Sequence, residues 1–149
     1  MLFRSQAMHA KTGIAHRFLR PVLGIVDPLT THSMPPMVTA SSGFDILCHA
    51  LESYTAIRST SRPAPAAGTA RPAYQGSNPF SDVWAERSLA MVARSIVRAT
   101  RDPGDAEARE TMALAATYAG IGFGNAGVHL PHGMSYAVSG LVRDFRPAG

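Results

Sequence analysis

A chain of 149 residues, 46% hydrophobic and 16% charged, can bury a real core and is too apolar for a disordered tail. Its formal net charge of +4 comes from Lys11 and scattered arginines. Arg87, Arg94, Arg98 and Arg101 recur at helical spacing without interleaved aromatics, a solvated helix face that sets nucleic acid aside as a partner. Cys48 stands alone, which excludes an internal disulfide framework and makes a reducing, intracellular compartment the default.

In chain order, the first stretch carries Arg4, Lys11, Arg17 and Arg20 before any acid, a composition shared with mitochondrial transit peptides. VLGIVDP (22–28) reads as a short buried strand ending in a turn, which confines a transit reading to the first ten residues. One strand cannot satisfy its own backbone, so its partners are expected outside the segment that follows. PLTTHSMPPMVTAS (28–41) is a turn-rich connection. Ser41 or Ser42 then caps a predicted helix over 43–57, with Phe44, Leu47, Cys48 and Leu51 as its apolar stripe.

Residues 58–78 are rich in Pro, Ala, Gly and Ser, and a loop of that length is a lid, a binding loop or disordered. The reading taken is a mobile loop bordering the substrate side of a site. Helical period returns over 80–100, with Leu89, Val92, Ala93, Ile96 and Val97 inward. Asp102-Pro103 is the expected cap and first turn of the next helix, with Asp105 and Glu107 suited to its positive end. That helix should bury Met112, Ala115, Ala116, Ala119 and Phe123, and a last helical stretch covers 133–143. No charged side chain occurs from Thr111 to Val142, but glycines, Pro131, His129 and His132 interrupt the run. A helix buried in protein fits better than a membrane span. The chain is therefore predicted to be mainly α, with one short strand near its start.

GFDILCHALESY (43–54) places Asp45, His49 and Glu52 on one helix face. A carboxylate and an imidazole one turn apart are half of a divalent-metal site, although a surface Asp–His pair has the same spacing. HLPHG (129–133) adds two histidines in an uncharged, glycine-rich region. Core histidines bonded to backbone carbonyls would explain them singly; one shared site explains both clusters. GFGNAG (122–127) matches G-x-G-x-x-G but follows a helical pattern rather than a strand. A dinucleotide fingerprint is rejected there, and the glycines are assigned to close helix packing or a helix end.

VDP, MPP, SSGFDILCHALESY, GIGFGNAG and HGMSY in this order resemble the iron-containing (group III) alcohol dehydrogenase family. KTGIA (11–15), RPAYQGSNP (71–79) and GIGFGNAGVHLPHGMSY (120–136) resemble its hydroxyacid–oxoacid transhydrogenase branch, and the likeness covers Lys11 to Val142. The resemblance implies a divalent metal, iron or zinc, held by one aspartate and three histidines. Asp45, His49 and His132 match three of these, His132 rather than His129 because it precedes Gly-Met. The fourth belongs to a further Pro-His-Gly motif downstream of His132, and none follows Pro131-His132-Gly133 before Gly149. Tyr136 stands where many family alcohol dehydrogenases have a histidine, as in the transhydrogenase branch. The resemblance makes residues 1–28 a remnant of a nucleotide-binding domain and its connection. It makes 29–149 a helical metal-binding (dehydroquinate synthase-like) domain, incomplete at its C-terminus.

The implied activity is oxidation of a hydroxyacid such as 4-hydroxybutyrate, with NAD carrying the hydride to an oxoacid such as 2-oxoglutarate. Lys11 matches a family lysine near the cofactor ribose, and Arg58, Arg62 and Arg71 are candidates for the substrate carboxylates. Glu52 is read as an outer or structural acid, and Cys48 as a small hydrophobe. Small-molecule hydroxyacid and oxoacid partners are expected, with no membrane association; a homo-oligomer is compatible. The expected location is cytoplasmic in a bacterium and mitochondrial in a eukaryote. An alcohol dehydrogenase or maleylacetate-type reductase would share the metal and the cofactor. A non-catalytic helical remnant that binds partners is the reading from another class. No residue here builds a pyrophosphate site, so the 149-residue chain by itself is expected to be inactive.

Overall fold

The computed structural model describes residues 2–5, 10–13, 17–19, 21–68, 73–142 and 144–145. Its strands β1 (Leu2–Ser5) and β2 (Ala10–Gly13) form an antiparallel hairpin, with Phe3 opposite Thr12 and Arg4 opposite Lys11. Among the described residues, four α-helices follow: α1 (Pro36–Thr55), α2 (Pro79–Arg101), α3 (Ala106–Ala126) and α4 (Leu130–Leu141). The first three pack on one another, and α4 lies against α1 and β2. The predominantly helical fold matches the expectation from sequence.

The strand expected at 22–28 is not formed. Leu23 and Ile25 remain 78% and 87% exposed, and among the described residues no strand pairs with them. Apolar alternation without a neighbouring ladder leaves an irregular segment.

Three helical seams hold the core. On α1 the inward positions are Thr39, Gly43, Ile46, Ala50 and Ser53; on α2 they are Ser81, Ala85, Ser88, Val92, Ser95 and Ala99. On α3 they are Ala108, Met112, Ala115, Ala119, Gly122 and Ala126. Each stripe advances by three or four residues, the alternation that keeps one stripe facing a partner helix, and Glu52, Met91 and Arg109 are buried beside these stripes. Most of these residues are small, so the backbones approach closely. A Cβ at Gly122 would lie 3.3 Å from the Ser81 carbonyl oxygen, and one at Gly43 would lie 2.8 Å from Ile96 Cδ1. Ser88 Oγ, buried between helices, donates to the Ala115 carbonyl at 2.9 Å. Met91, Val92 and Met112 supply the bulk, with Ile46, Leu47, Ile96 and Tyr118 around them.

These seams correct the expected stripes. Phe44 and Leu51 are exposed, as are Ala93, Val97 and Ala116, while Phe123 is only half-buried. Large apolar residues marked the wrong faces because the close contacts are made by Ala, Ser and Gly.

Two boundaries also move. α1 starts at Pro36 with Ser41 and Ser42 inside it, because a proline at the first helical position is pre-set for the helix and lacks only an N–H that would have no partner. Asp102 closes α2 and accepts the Gly104 N–H, whereas Asp105 caps α3 by accepting the Ala108 N–H at 3.0 Å. α2 itself opens on a reciprocal cap between Asn78 and Ser81. Arg109, buried on α3, donates to the Pro103 and Thr31 carbonyls and so ties the connection before α1 to the bundle. α4 begins at Leu130, three residues before the expected 133. Among the described residues, no helix is long and apolar enough to cross a membrane.

Gly122→Val should destabilise the fold by about 1–3 kcal/mol in chemical denaturation, because the added atoms meet backbone. Gly120→Ala, where a Cβ meets nothing within 4 Å, should instead stabilise it by about 0.5–1 kcal/mol. Equal effects would refute the close seam.

The Ala108 N–H, then Arg98, hold the Asp105 carboxyl below its usual range. Its stabilising contribution is therefore complete above the unfolded carboxylate pKa, about 4. It is lost as pH falls through the lower native value. Asp105→Asn, which keeps a capping oxygen, should flatten this acid limb of stability; an unaltered limb would exclude the contribution.

Candidate metal centre

The period of α1 places Asp45 and His49 one turn apart, and His132 enters from the first turn of α4. One ligand atom from each lies within 4.8 Å of the other two. His132 Nε2 is 3.0 Å from His49 Nε2 and 3.5 Å from Asp45 Oδ1, and His49 Nδ1 is 3.6 Å from Asp45 Oδ2. These approaches involve both ring nitrogens of His49 and both oxygens of Asp45. Donors about 2.0–2.2 Å from one ion stand roughly 3–4 Å apart, so a set with one atom from each residue within 4.8 Å lies near the spacing that a single divalent cation needs. Two imidazoles and one carboxylate suit iron or zinc better than magnesium or calcium.

Exposure is graded across the site. The Asp45 side chain is 63% exposed, whereas those of His49 and His132 are 20% and 11% exposed. His49 is stacked on Phe123, with ring centroids 4.2 Å apart and planes 18° from parallel. Burial pushes the His49 imidazole below its ordinary pKa; Asp45 pulls it upward and His132 pushes it further down. The neutral ring that a metal requires is thus favoured.

Glu52 lies beneath this cluster with 1% exposure. Its Oε1 is 2.6 Å from His132 Nδ1, and its Oε2 accepts the His129 N–H at 2.6 Å and the His132 N–H at 3.4 Å. Burial alone would raise the Glu52 pKa, but the ring and the two backbone N–H groups outweigh it and hold the carboxyl below its usual value. An ionised, acceptor-only carboxylate thus sits at the N-terminus of α4, which has no side-chain cap of its own.

The other residues singled out from sequence fall as follows. His129 turns away from the three and pairs with Thr55 Oγ1 at 2.9 Å. Thr55 donates to the Leu51 carbonyl, so His129 Nε2 is the donor in that pair. Burial, then Glu52 and Asp45, push the Cys48 thiol up, which leaves it unreactive. Lys11 lies in β2, Arg58 is exposed at the base of the loop, and Arg71 falls outside the described residues. Arg62 Nη1 donates to the Tyr74 carbonyl at 2.8 Å, which braces the loop.

The loop base is well tied. Ser59 N–H donates to Ser77, and Ser77 N–H to Ile57. Gln75 and Gly76 donate to Asn125 and Ala126, the last turn of α3. α3 ends at Gly127, whose φ of 96° favours glycine and whose Cβ would lie 3.0 Å from that of Tyr74. The two glycine roles expected for GFGNAG, close packing at Gly122 and a helix end at Gly127, are both present.

Sequence reasoning did not find the Phe123 stack or the double task of Glu52. The second had a signal: Leu-Pro-His-Gly opens α4 without a Ser, Thr, Asp or Asn at its start, so an acceptor has to come from elsewhere.

Comparison with known proteins agrees with this architecture. Residues 73–143 match the family model described as Fe-containing alcohol dehydrogenase family, C-terminal. Among solved structures, iron-containing alcohol dehydrogenase from Thermococcus thioreducens has a TM-score of 0.70 at 33% identity, over 87% of this chain and 29% of that one. The iron-containing alcohol dehydrogenase from Thermotoga maritima gives 0.75 at 26% identity, over 94% and 33%. These matches establish the resemblance to the iron-containing alcohol dehydrogenase family in both sequence and fold. Within it, the chain is 58% identical over 146 residues to the mitochondrial hydroxyacid-oxoacid transhydrogenase of Rattus norvegicus, covering 97% of this chain and 31% of that protein. The chain thus spans about a third of the length of the curated relatives it matches.

Limited proteolysis of the 149-residue chain should cut first within residues 63–68, which are exposed, and spare 57–62 and 74–78 at the tied base. Early cleavage at the base would overturn this account of the loop.

Proposed function

We propose that this chain supplies the metal-holding helices of an NAD-dependent hydroxyacid–oxoacid transhydrogenase, with Asp45, His49 and His132 as protein ligands of one divalent ion, iron or zinc. Residues 29–149 form the metal-binding domain in this reading, and residues 1–28 lead from a nucleotide-binding domain. The observation that carries it is the convergence of one carboxylate and two imidazoles, from two helices, on one point.

When bound, the metal supplies Lewis-acid polarisation of a substrate oxygen, and NAD supplies the hydride acceptor. The chain's own residues hold and orient. Asp45 contributes negative charge on the open side of the site, and Phe123 shields one face of His49 from water. In the overall reaction a hydroxyacid such as 4-hydroxybutyrate would give up a hydride and a hydroxyl proton and become succinate semialdehyde. That hydride and a proton would convert an oxoacid such as 2-oxoglutarate to 2-hydroxyglutarate. Arg58, Arg62 and Arg71 are candidates to meet the substrate carboxylates, and Lys11 to meet the cofactor ribose. A mitochondrial location accords with the name of the rat relative.

An alcohol dehydrogenase would use the same site. Tyr136, in the position where many family alcohol dehydrogenases have a histidine, supports the transhydrogenase reading. The identity of 58% to the rat protein, against 33% to the Thermococcus structure, supports it too.

Titration of the 149-residue chain with zinc or ferrous ion, followed by calorimetry, tests the ligand assignment. Asp45→Asn, His49→Ala and His132→Ala should each weaken binding by more than the about 10–100-fold that partners outside the ligand set cost. His129→Ala should leave it unchanged. The reverse ranking of the two histidines would sink the assignment.

A further inference from the structure

We propose that Glu52 is a positioning residue for His132, fixing that imidazole as the Nδ1–H tautomer so that its Nε2 lone pair faces Asp45 and His49. The carboxylate is acceptor-only, so at 2.6 Å the ring nitrogen beside it is the donor. A neutral imidazole with its proton on Nδ1 keeps Nε2 as an acceptor, and the bond made by one nitrogen thereby sets the role of the other.

The second oxygen of the same carboxylate makes this arrangement hard to reverse. Oε2 accepts two backbone N–H groups at the start of α4, those of His129 and His132. The carboxylate therefore cannot swing away without leaving two helix-end donors unpaired, the His132 N–H buried and the His129 N–H partly so. Backbone and ring of His132 are held by one group, and that group sits on the helix that carries Asp45 and His49.

Glu52→Gln separates positioning from packing, since it preserves shape and burial. Its single amide oxygen should face the two backbone donors, which turns the amide NH2 toward His132 Nδ1. That nitrogen then accepts, and the ring proton moves to Nε2, where it obstructs a metal. The tautomer claim stands on the metal-free protein; only its effect on affinity rests on the metal reading above.

The experiment is a long-range proton–nitrogen correlation spectrum of the 149-residue chain with 15N-labelled histidine, without metal, followed by zinc titration. Expected are Nδ1–H for His132 in the wild type, Nε2–H in Glu52→Gln, and zinc affinity lower by about 10–100-fold in the variant. Nε2–H in the wild type, an unaltered tautomer in the variant, or equal zinc affinity in the two proteins would each overturn the proposal. If Glu52→Gln fails to fold by circular dichroism, the wild-type spectrum decides alone. If the wild type takes up no zinc, the metal reading falls, and the two spectra still decide the role of Glu52.

Discussion

One buried carboxylate carries more of this architecture than any other single group. Removing an ionised side chain from water costs several kcal/mol even after relaxation, so Glu52 is tolerable only because three N–H groups converge on it. Those donors all belong to residues 129–132, the start of α4. The same bonds answer two separate needs: a carboxylate without water and a helix end without a cap. Either element alone would be unstable in that position. Together they define where α4 meets α1, and hence where His132 meets Asp45 and His49.

Around that point the bundle is built from small residues rather than large ones. Serine, alanine and glycine at steps of three and four let α2 and α3 pack closely, and the buried serine hydroxyls need partners, as Ser88 has in the Ala115 carbonyl. Such a seam has little slack. The platform that holds Asp45 and His49 is therefore stiff, as a site made of short side chains requires. Phe123 reaches His49 from the last turns of α3 because Gly122, the residue before it, lies flush against α2.

Much of this was legible before any coordinates. The helical character, the Asp45–His49 pair and the distinction between His129 and His132 followed from spacing and from the family resemblance. What failed has a common physical cause. Faces were read from large apolar residues, so Phe44, Leu51 and Val97 were turned inward although the bundle presents them outward. Caps were read from the nearest Ser or Asp, but Pro36 starts α1 without one and Asp105 displaces Asp102. The segment at 22–28 has strand chemistry without a strand's neighbours, and no local pattern can supply a ladder. Glu52 reads from sequence as an outer or structural acid, but its partners were not legible, because it joins positions 77 and 80 residues apart in the chain.

The graded exposure of the three convergent side chains bears on kinetics. Asp45 stands largely in solvent while His132 is enclosed by Glu52 and the start of α4. A cation held by this set would enter and leave past the carboxylate, meeting the negative charge first and the imidazoles last. Attraction to a partly solvated charge is screened by salt, so the arrival rate would fall as ionic strength rises. Escape instead requires breaking contacts to two rings packed against Phe123 and Glu52, which salt scarcely touches. Filling and emptying such a site would thus obey different controls: ionic strength for the first, the packing of the bundle for the second.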